Sequence, residues 1–151
     1  MLVTGGAERL GAAMARRFHA AGADVVVHYH RSQHAATEFT DALNRLRAGS
    51  ASIVCADLND VDALPGLAAA AVERHGRLDV LVNNASTFYP TPVGAITATQ
   101  FEDLIGTNLR APLFLSQAAA VTAACSTTVT TGTGAGSSAA ACRVRAEKVA
   151  P

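Results

Sequence analysis

Glycines at the end of the first hydrophobic segment stand where they could bind a phosphate. The segment 4–11 (TGGAERLG) lies between a short apolar run and an amphipathic helical pattern. Glycine lets the backbone turn sharply and approach a pyrophosphate, and the free N–H groups at a helix N-terminus favour negative charge. A tight turn without a ligand is the alternative, but the context of strand, turn and helix favours a dinucleotide site.

The end of the second hydrophobic segment distinguishes between the two nicotinamide dinucleotides. An acidic residue at this place binds the ribose 2′-hydroxyl of NAD, whereas cations and hydroxyls suit the 2′-phosphate of NADP. The sequence has His30, Arg31 and Ser32 there, and Arg9 in the glycine segment could approach from the other side. Arginine can donate paired hydrogen bonds to a phosphate. These residues predict NADPH as the cofactor.

Histidines near the same strand end allow a second interpretation, a metal site. His28 and His30 share one face of the predicted strand, and His34 follows. No third ligand has supporting spacing, so we predict no metal site. The histidines are then solvated or face the phosphate.

Polar residues follow the later strands and interrupt the last helix. Asp57 could accept a hydrogen bond from an adenine amino group, or cap the next helix instead. Asn84 closes the fourth strand at the carboxyl edge, where open α/β sheets bind ligands. Asn108 lies within a predicted helix, where asparagine is unfavourable by propensity, so we predict a buried hydrogen-bonding role for it.

The elements that would position these residues alternate between short β-branched runs and longer helical patterns. This alternation predicts an α/β fold, a Rossmann-like doubly wound parallel sheet of which about four strands, the N-terminal half, are present. The predicted strands are 2–4, 24–29, 52–56 and 78–82, and the predicted helices end near 22, 48, 75 and 119. Periodicity marks the apolar faces of the first, second and last helices, with a kink at Pro112: Leu10, Met14 and Phe18; Ala35, Phe39, Ala42, Leu43 and Leu46; Phe101, Leu104, Ile105, Leu109 and Leu113.

The composition excludes several classes of protein. The 151 residues are 50% hydrophobic and carry 12 basic and 12 acidic side chains, without the basic surplus that nucleic-acid binding needs. The apolar runs are too short to cross a bilayer, and no signal-like segment begins the chain. Three cysteines without motif spacing suit a reducing compartment. We expect a soluble cytoplasmic protein with no nucleic-acid or membrane partner.

The amino-acid composition changes at Val121. The following stretch consists almost entirely of Thr, Ala, Ser and Gly. Such a stretch buries too little apolar area to offset the entropy of ordering it. We therefore predict two regions, a nucleotide-binding domain over 1–120 and a disordered low-complexity tail over 121–151.

The glycine segment, Asp57, Asn83 to Ala85 and Asn108 together resemble the short-chain dehydrogenase/reductase family in order and spacing over about 120 residues. The segments 4–11, 28–32 and 83–92 resemble its pteridine reductase branch. The resemblance implies an NADPH-dependent reductase of pterins or dihydrofolate, commonly a homo-oligomer, in which Asn108 supports catalysis. It implies that Arg9, Ser86 and Phe88 bind the substrate, Phe88 by stacking on the pterin, although an anchor packed on the core is the alternative for Phe88. The cofactor contacts that it implies are Gly5, Arg9, Leu10, Gly11, His30, Arg31, Ser32, Asp57, Leu58, Asn84 and Ala85.

The family's catalytic pair, Tyr-x-x-x-Lys, is not identifiable in this sequence. The tyrosine of that pair donates a proton and the lysine lowers its pKa. Lys148 is the only lysine, Val144 stands four positions before it, and Tyr29 and Tyr89 both lie far upstream. Our hypothesis is a reductase in truncated or frame-shifted form. The alternatives are a catalytically silent NADP(H)-binding fragment and a ketoacyl or enoyl reductase-like protein.

Overall fold

The computed structural model describes residues 1–126, and the predicted tail lies outside the described residues from 127 onward. A 3₁₀ turn, Val61–Ala63, precedes the third helix, and a π-helical turn, Gly106–Arg110, joins the last two helices. The predicted strands are confirmed, with ends shifted by one to three residues. The elements in chain order are β1 (Leu2–Val3), α1 (Arg9–Ala20), β2 (Val25–Tyr29), α2 (Gln33–Leu46), β3 (Ala51–Cys55), α3 (Leu64–His75), β4 (Leu81–Val82), α4 (Ala98–Ile105) and α5 (Ala111–Ser126).

The four strands form one parallel sheet in the order β3-β2-β1-β4. Val3 of β1 pairs with Val27 of β2 on one side and with Val82 of β4 on the other. The chain therefore builds outward from β1 to β3 and then returns to the opposite side of β1. In open parallel sheets this reversal of strand order creates the crevice where ligands bind, at the carboxyl ends of the strands.

Helices cover both faces of the sheet. Successive side chains of a strand point to opposite faces, so Val26 packs with one hydrophobic cluster while Val25 and Val27 pack with the other. The first cluster includes residues of α3 and α5, and the second includes residues of α1 and α2. Burial on both faces explains the continuous apolar run of β2. The predicted fold class is confirmed.

The buried face of α1 differs from the predicted one. Leu10 is 67% exposed and Phe18 is 38% exposed, whereas Ala12 and Ala15 are buried together with Gly11. Small residues let a helix lie close to the sheet, so the stripe of small residues faces inward while Leu10 and Phe18 remain at the surface and Met14 is half-buried. In α2 the prediction is right for Phe39 and Leu43 and wrong for Leu46, which is 79% exposed.

The last two helices also bury a different stripe from the predicted one. Leu104 is half-buried, but the other four residues expected to face inward are exposed: Phe101, Ile105, Leu109 and Leu113. The buried stripe is Thr107, Ala111, Leu115 and Ala119.

The π-helical turn ends two residues before Pro112, where the sequence predicts a kink. Proline has no N–H to donate, and its ring clashes with the carbonyl four residues earlier, so the preceding turn widens. Beyond it α5 continues to Ser126, so the last helix extends past its predicted end near 119. None of the helices within 1–126 combines the length and the apolarity needed to cross a membrane.

Candidate nucleotide-binding site

The carboxyl ends of β1 and β4 are joined through the hydroxyl of Thr4. Its Oγ1 donates to the carbonyl oxygen of Val82 at 3.3 Å and accepts from the N–H groups of Asn84 and Ala85 at 2.9 and 3.0 Å. The Nδ2 of Asn84 donates in turn to the carbonyl oxygens of Thr4 and Gly5 at 2.9 and 3.0 Å. Asn84 therefore holds the glycine turn, residues 4–8, from the side of β4, and its predicted contact with a cofactor stays a prediction.

Gly5 in this turn and Gly11 in α1 have little or no space for a side chain. Gly5 has a φ of +57°, in the left-handed region that favours glycine, and a Cβ there would lie 3.2 Å from the Cα of Ala85. A Cβ on Gly11 would overlap the carbonyl oxygen of Gly5 and lie 2.6 Å from Nδ2 of Asn84. The turn and the first helical turn of α1 are therefore in direct backbone contact.

A cleft of about 440 Å³ opens beside the glycine turn at the carboxyl edge of the sheet. This volume lies within the range of small-molecule sites, roughly 300–1,000 Å³. Eight residues predicted for cofactor or substrate line it: Gly5, His30, Arg31, Ser32, Asp57, Leu58, Ala85 and Ser86. Residues separated by up to 81 positions in the chain thus meet at one site.

The other predicted site residues lie outside the lining of this cleft. Arg9 and Leu10 are exposed at the start of α1, and Arg9 has a φ of +49°, unusual for a residue with a side chain. Phe88 is 87% exposed, which rules out the alternative that it is an anchor packed on the core. Gly11 and Asn84 contact the glycine turn but do not line the cleft.

Asn108 is exposed, so the predicted burial is wrong, but its predicted hydrogen-bonding role is confirmed. Its Oδ1 accepts from the N–H of Thr87 at 3.0 Å, and its Nδ2 donates to the carbonyl oxygen of Thr87 at 2.8 Å. Asn108 therefore holds the loop that follows β4 by both polar groups of one residue.

The cleft wall contains a cluster of polar side chains that the sequence analysis does not predict. Nδ2 of Asn59 donates to Oδ1 of Asp103 at 3.1 Å, and Oγ1 of Thr107 donates to Oδ1 of Asn59 at 3.3 Å. A Cβ on Gly106 would overlap Oδ1 of Asn59, so the π-helical turn and the loop after β3 are closely packed. The only sequence signal for this cluster is its nearness to Asn108.

Asp57 folds its own loop and faces a histidine across the cleft. Its Oδ1 accepts from the N–H of Asn59 at 2.9 Å, and its Oδ2 lies 3.9 Å from Nε2 of His30. The alternative role as a helix cap belongs to Asp60, whose carboxylate accepts from the N–H of Asp62 at 3.1 Å. The second carboxylate oxygen of Asp57, Oδ2, therefore faces the cleft beside His30.

Two titratable groups near the cleft have altered pKa values. Burial lowers the pKa of His28, whose Nε2 lies 3.1 Å from the carbonyl oxygen of Ala56. Burial and the neighbouring carboxylate of Asp103 raise the pKa of Tyr89, whose hydroxyl donates to the carbonyl oxygen of Gln100 at 3.3 Å. Tyr89 is therefore held protonated against α4 and does not line the cleft. Across residues 1–126 no three His, Cys, Asp or Glu side chains are grouped to hold a metal ion.

The sheet order, the glycine turn and the cleft at the strand reversal define a Rossmann-like α/β protein. The family model for short chain dehydrogenases matches residues 1–143, so the chain belongs to the short-chain dehydrogenase family. This match extends past residue 120, where the sequence analysis places the domain boundary.

Three members of this family are similar to the chain over most of its length. Pteridine reductase 1 of Leishmania tarentolae is 39% identical, in a match covering 79% of this chain and 52% of the relative. The 3beta-hydroxysteroid dehydrogenase 1 of Eggerthella lenta is 35% identical, covering 72% of this chain and 41% of the relative. A short chain dehydrogenase from Burkholderia cenocepacia, solved in complex with NADP, is 36% identical with a TM-score of 0.75 and matches 79% of this chain and 48% of that one. The chain therefore spans about half the length of the relatives it matches.

Proposed function

We propose that the chain is the NADP(H)-binding half of a short-chain reductase and that its cleft takes the adenosine end of the cofactor. The observation that carries the proposal is the pair of uncommitted groups at the end of β2. Arg31 has no carboxylate partner among the described residues, and Ser32 occupies the N-cap of α2 without a capping hydrogen bond from its side chain. A guanidinium, a hydroxyl and a helix N-terminus at one place suit a 2′-phosphate.

The rest of the cleft fits the cofactor in the same way. Gly5 and Gly6, in the turn before α1, carry no side chain that would keep a pyrophosphate from the N-terminus of that helix. Asp57, whose Oδ2 faces His30, and the buried Leu58 offer an adenine ring an acceptor and an apolar contact. NADP bound to the similar Burkholderia protein supports this choice of dinucleotide. The cofactor, when bound, would supply the hydride.

A titration of intrinsic cofactor fluorescence with NADPH and with NADH tests the proposal. The wild-type chain should bind NADPH more tightly, and Arg31→Gln should weaken NADPH binding about tenfold or more while leaving NADH binding unchanged, because one charge-assisted hydrogen bond is lost. Arg45→Gln is the matched control, since Arg45 is an exposed arginine in the last turn of the same helix. Equal affinity of the wild type for both dinucleotides would overturn the choice of NADP(H).

We further propose a pterin or dihydrofolate as the substrate. The support is the similarity to pteridine reductase 1 and the placement of two side chains on the loop after β4. Ser86 lines the cleft, and the exposed ring of Phe88 offers a face on which a flat heterocycle could stack. Asn108 would hold this loop in place through Thr87.

A specific observation favours a second candidate, a silent NADP(H)-binding fragment. The hydroxyl of Tyr89 is engaged with α4, and the only lysine, Lys148, lies outside the described residues, so no tyrosine and lysine are brought together within 1–126. With NADPH and dihydrobiopterin, we expect binding but little or no loss of absorbance at the reduced-nicotinamide band. Fast turnover would refute this second candidate and establish a different proton donor.

A further inference from the structure

His28 joins the glycine turn to the end of β3 through both nitrogens of its ring. The N–H of Gly5 donates to Nδ1 at 3.3 Å, and Nε2 lies 3.1 Å from the carbonyl oxygen of Ala56. A backbone N–H can only donate and a carbonyl can only accept. Both contacts are hydrogen bonds in a single state of the ring, the neutral form with its proton on Nε2.

The other two states of the ring break the contact with the turn. The opposite tautomer points an N–H of His28 at the N–H of Gly5 and leaves the carbonyl of Ala56 without a donor. The imidazolium keeps the bond to Ala56 but again opposes two N–H groups. Since His28 is only 2% exposed, water cannot readily replace the lost bond.

The backbone of His28 holds the next residue of the turn. The N–H of Gly6 donates to the carbonyl oxygen of His28 at 3.2 Å. Two successive N–H groups of the glycine turn are therefore tied to one residue of β2, while Asn84 holds the carbonyl of Gly5 from the side of β4. The turn is fixed from both neighbouring strands, and the N–H of Gly5 is committed to the protein rather than to a phosphate.

We propose that His28 is a positioning residue for the cofactor, whose Nε2-protonated ring holds Gly5 in the left-handed conformation and so keeps the glycine turn shaped for a dinucleotide. This inference rests on the proposed function, because it takes the turn to be the cofactor site. The pKa of His28 is consistent with it: burial lowers it most, the carbonyl of Ala56 raises it, and the facing His30 and Asp57 act in opposite directions. The neutral ring that the geometry requires is thereby favoured at pH 7.

Two amide variants separate the roles of the two ring nitrogens. Asparagine places an amide oxygen near the position of Nδ1 and can still accept from Gly5, whereas glutamine places its amide near Nε2 and offers Gly5 no acceptor. We expect His28→Asn to bind NADPH within about threefold of the wild type, and His28→Gln to bind it about tenfold or more weakly. Equal NADPH affinity of the two variants would overturn the inference.

The state of the ring can be read without any cofactor. In the chain labelled with ¹⁵N at histidine, two-bond proton–nitrogen correlations at neutral pH should show Nε2 protonated and Nδ1 unprotonated for His28. The amide of Gly5 should exchange slowly in the wild type and in His28→Asn and quickly in His28→Gln. A proton on Nδ1, or equally fast exchange in both variants, would contradict the inference even if NADPH binds.

The pH dependence of NADPH binding provides a further test of the same residue. As pH falls through the pKa of His28, the wild type should lose affinity more steeply than His28→Asn. His30, Asp57 and the cofactor phosphate are present in both proteins, so the difference between the two profiles belongs to His28. Identical profiles would overturn the inference. If no dinucleotide binds at all, the proposed function fails, and the tautomer and the amide exchange of Gly5 still decide the role of His28.

Discussion

At the scale of single residues, one hydroxyl joins two strands at the site. The Oγ1 of Thr4 accepts from the N–H of Ala85, for which residues 1–126 offer no other acceptor. It also accepts from the N–H of Asn84, which reaches the carbonyl oxygen of Val82 as well. Valine has the same shape as threonine but cannot accept a hydrogen bond. The contribution of Thr4 can therefore be measured almost without a change in packing.

We expect Thr4→Val to lower the free energy of unfolding by about 1–3 kcal/mol, the usual cost of leaving a buried donor unsatisfied. The matched control is Thr40→Val in α2. Thr40 is also buried, but its hydroxyl donates to the carbonyl oxygens of Ala36 and Thr37, within the same helix. Urea unfolding should show a much smaller loss for that variant. Losses of equal size would contradict the special role of Thr4.

Two glycines provide a second matched comparison. Gly11→Ala should lower the free energy of unfolding by about 1–3 kcal/mol and abolish NADPH binding, because its Cβ would overlap the backbone of the turn at Gly5. Gly66→Ala should be neutral or stabilising by up to about 1 kcal/mol, since Gly66 lies in α3 with open space at its Cβ. Thermal unfolding and NADPH titration of both variants check this. A Gly11→Ala variant that binds NADPH normally would show that the turn can shift.

The residues of the site divide into those that local sequence could predict and those that it could not. The glycine turn, Arg31 and Asp57 are recognisable because each stands directly after a strand, where local pattern is informative. The contacts of Asn59 with Asp103 and Thr107 join positions 44 and 48 residues apart. No local pattern encodes such a contact, since it depends on how the helices pack.

At the scale of elements, the strands were predictable, whereas the buried faces of α1 and of the last two helices were not. The sequence of β2 predicts a strand buried on both faces because its three valines are consecutive, which makes both faces of the strand apolar. In α1 a stripe of small residues competes with a stripe of large ones, and hydrophobicity alone favours the wrong stripe. The small residues Ala12 and Ala15 face the sheet because close approach needs them, and periodicity contains no information on that distance.

The π-helical turn is the element that brings Asn108 to the loop after β4. We expect Asn108→Ala to speed hydrogen exchange at the amide of Thr87 about tenfold or more, because this amide loses its acceptor. Asn83→Ala is the control, since Asn83 makes a single exposed bond to the hydroxyl of Ser116. Exchange at Thr87 should not change in that variant. Unchanged exchange in Asn108→Ala would mean that other contacts hold the loop.

At the scale of the whole molecule, three histidines on three elements link folding to pH. Burial is the largest cause that lowers the pKa of His19 in α1, His28 in β2 and His75 in α3. His19 and His28 are buried and His75 is half-buried, and each ring makes a hydrogen bond, His19 with the hydroxyl of Ser50 at 2.6 Å. Between the folded pKa and the unfolded value of about 6.5, the unfolded chain binds more protons than the folded one.

The stability that these histidines contribute is therefore fully present above about pH 6.5 and is lost as pH falls through their folded pKa values. For each additional proton that the unfolded chain binds, the free energy of unfolding falls by about 1.4 kcal/mol per pH unit.

Urea unfolding at pH 7.5 and pH 5.5 should show this loss in the wild type. In His19→Gln the stability at pH 7.5 should fall, but the difference between the two pH values should shrink because one titrating group is gone. His34→Gln, at an exposed position on α2, should keep the full difference. A wild type equally stable at both pH values would show that these rings accept protons without unfolding. The hydrogen bonds of His28 to Gly5 and Ala56 argue against that outcome.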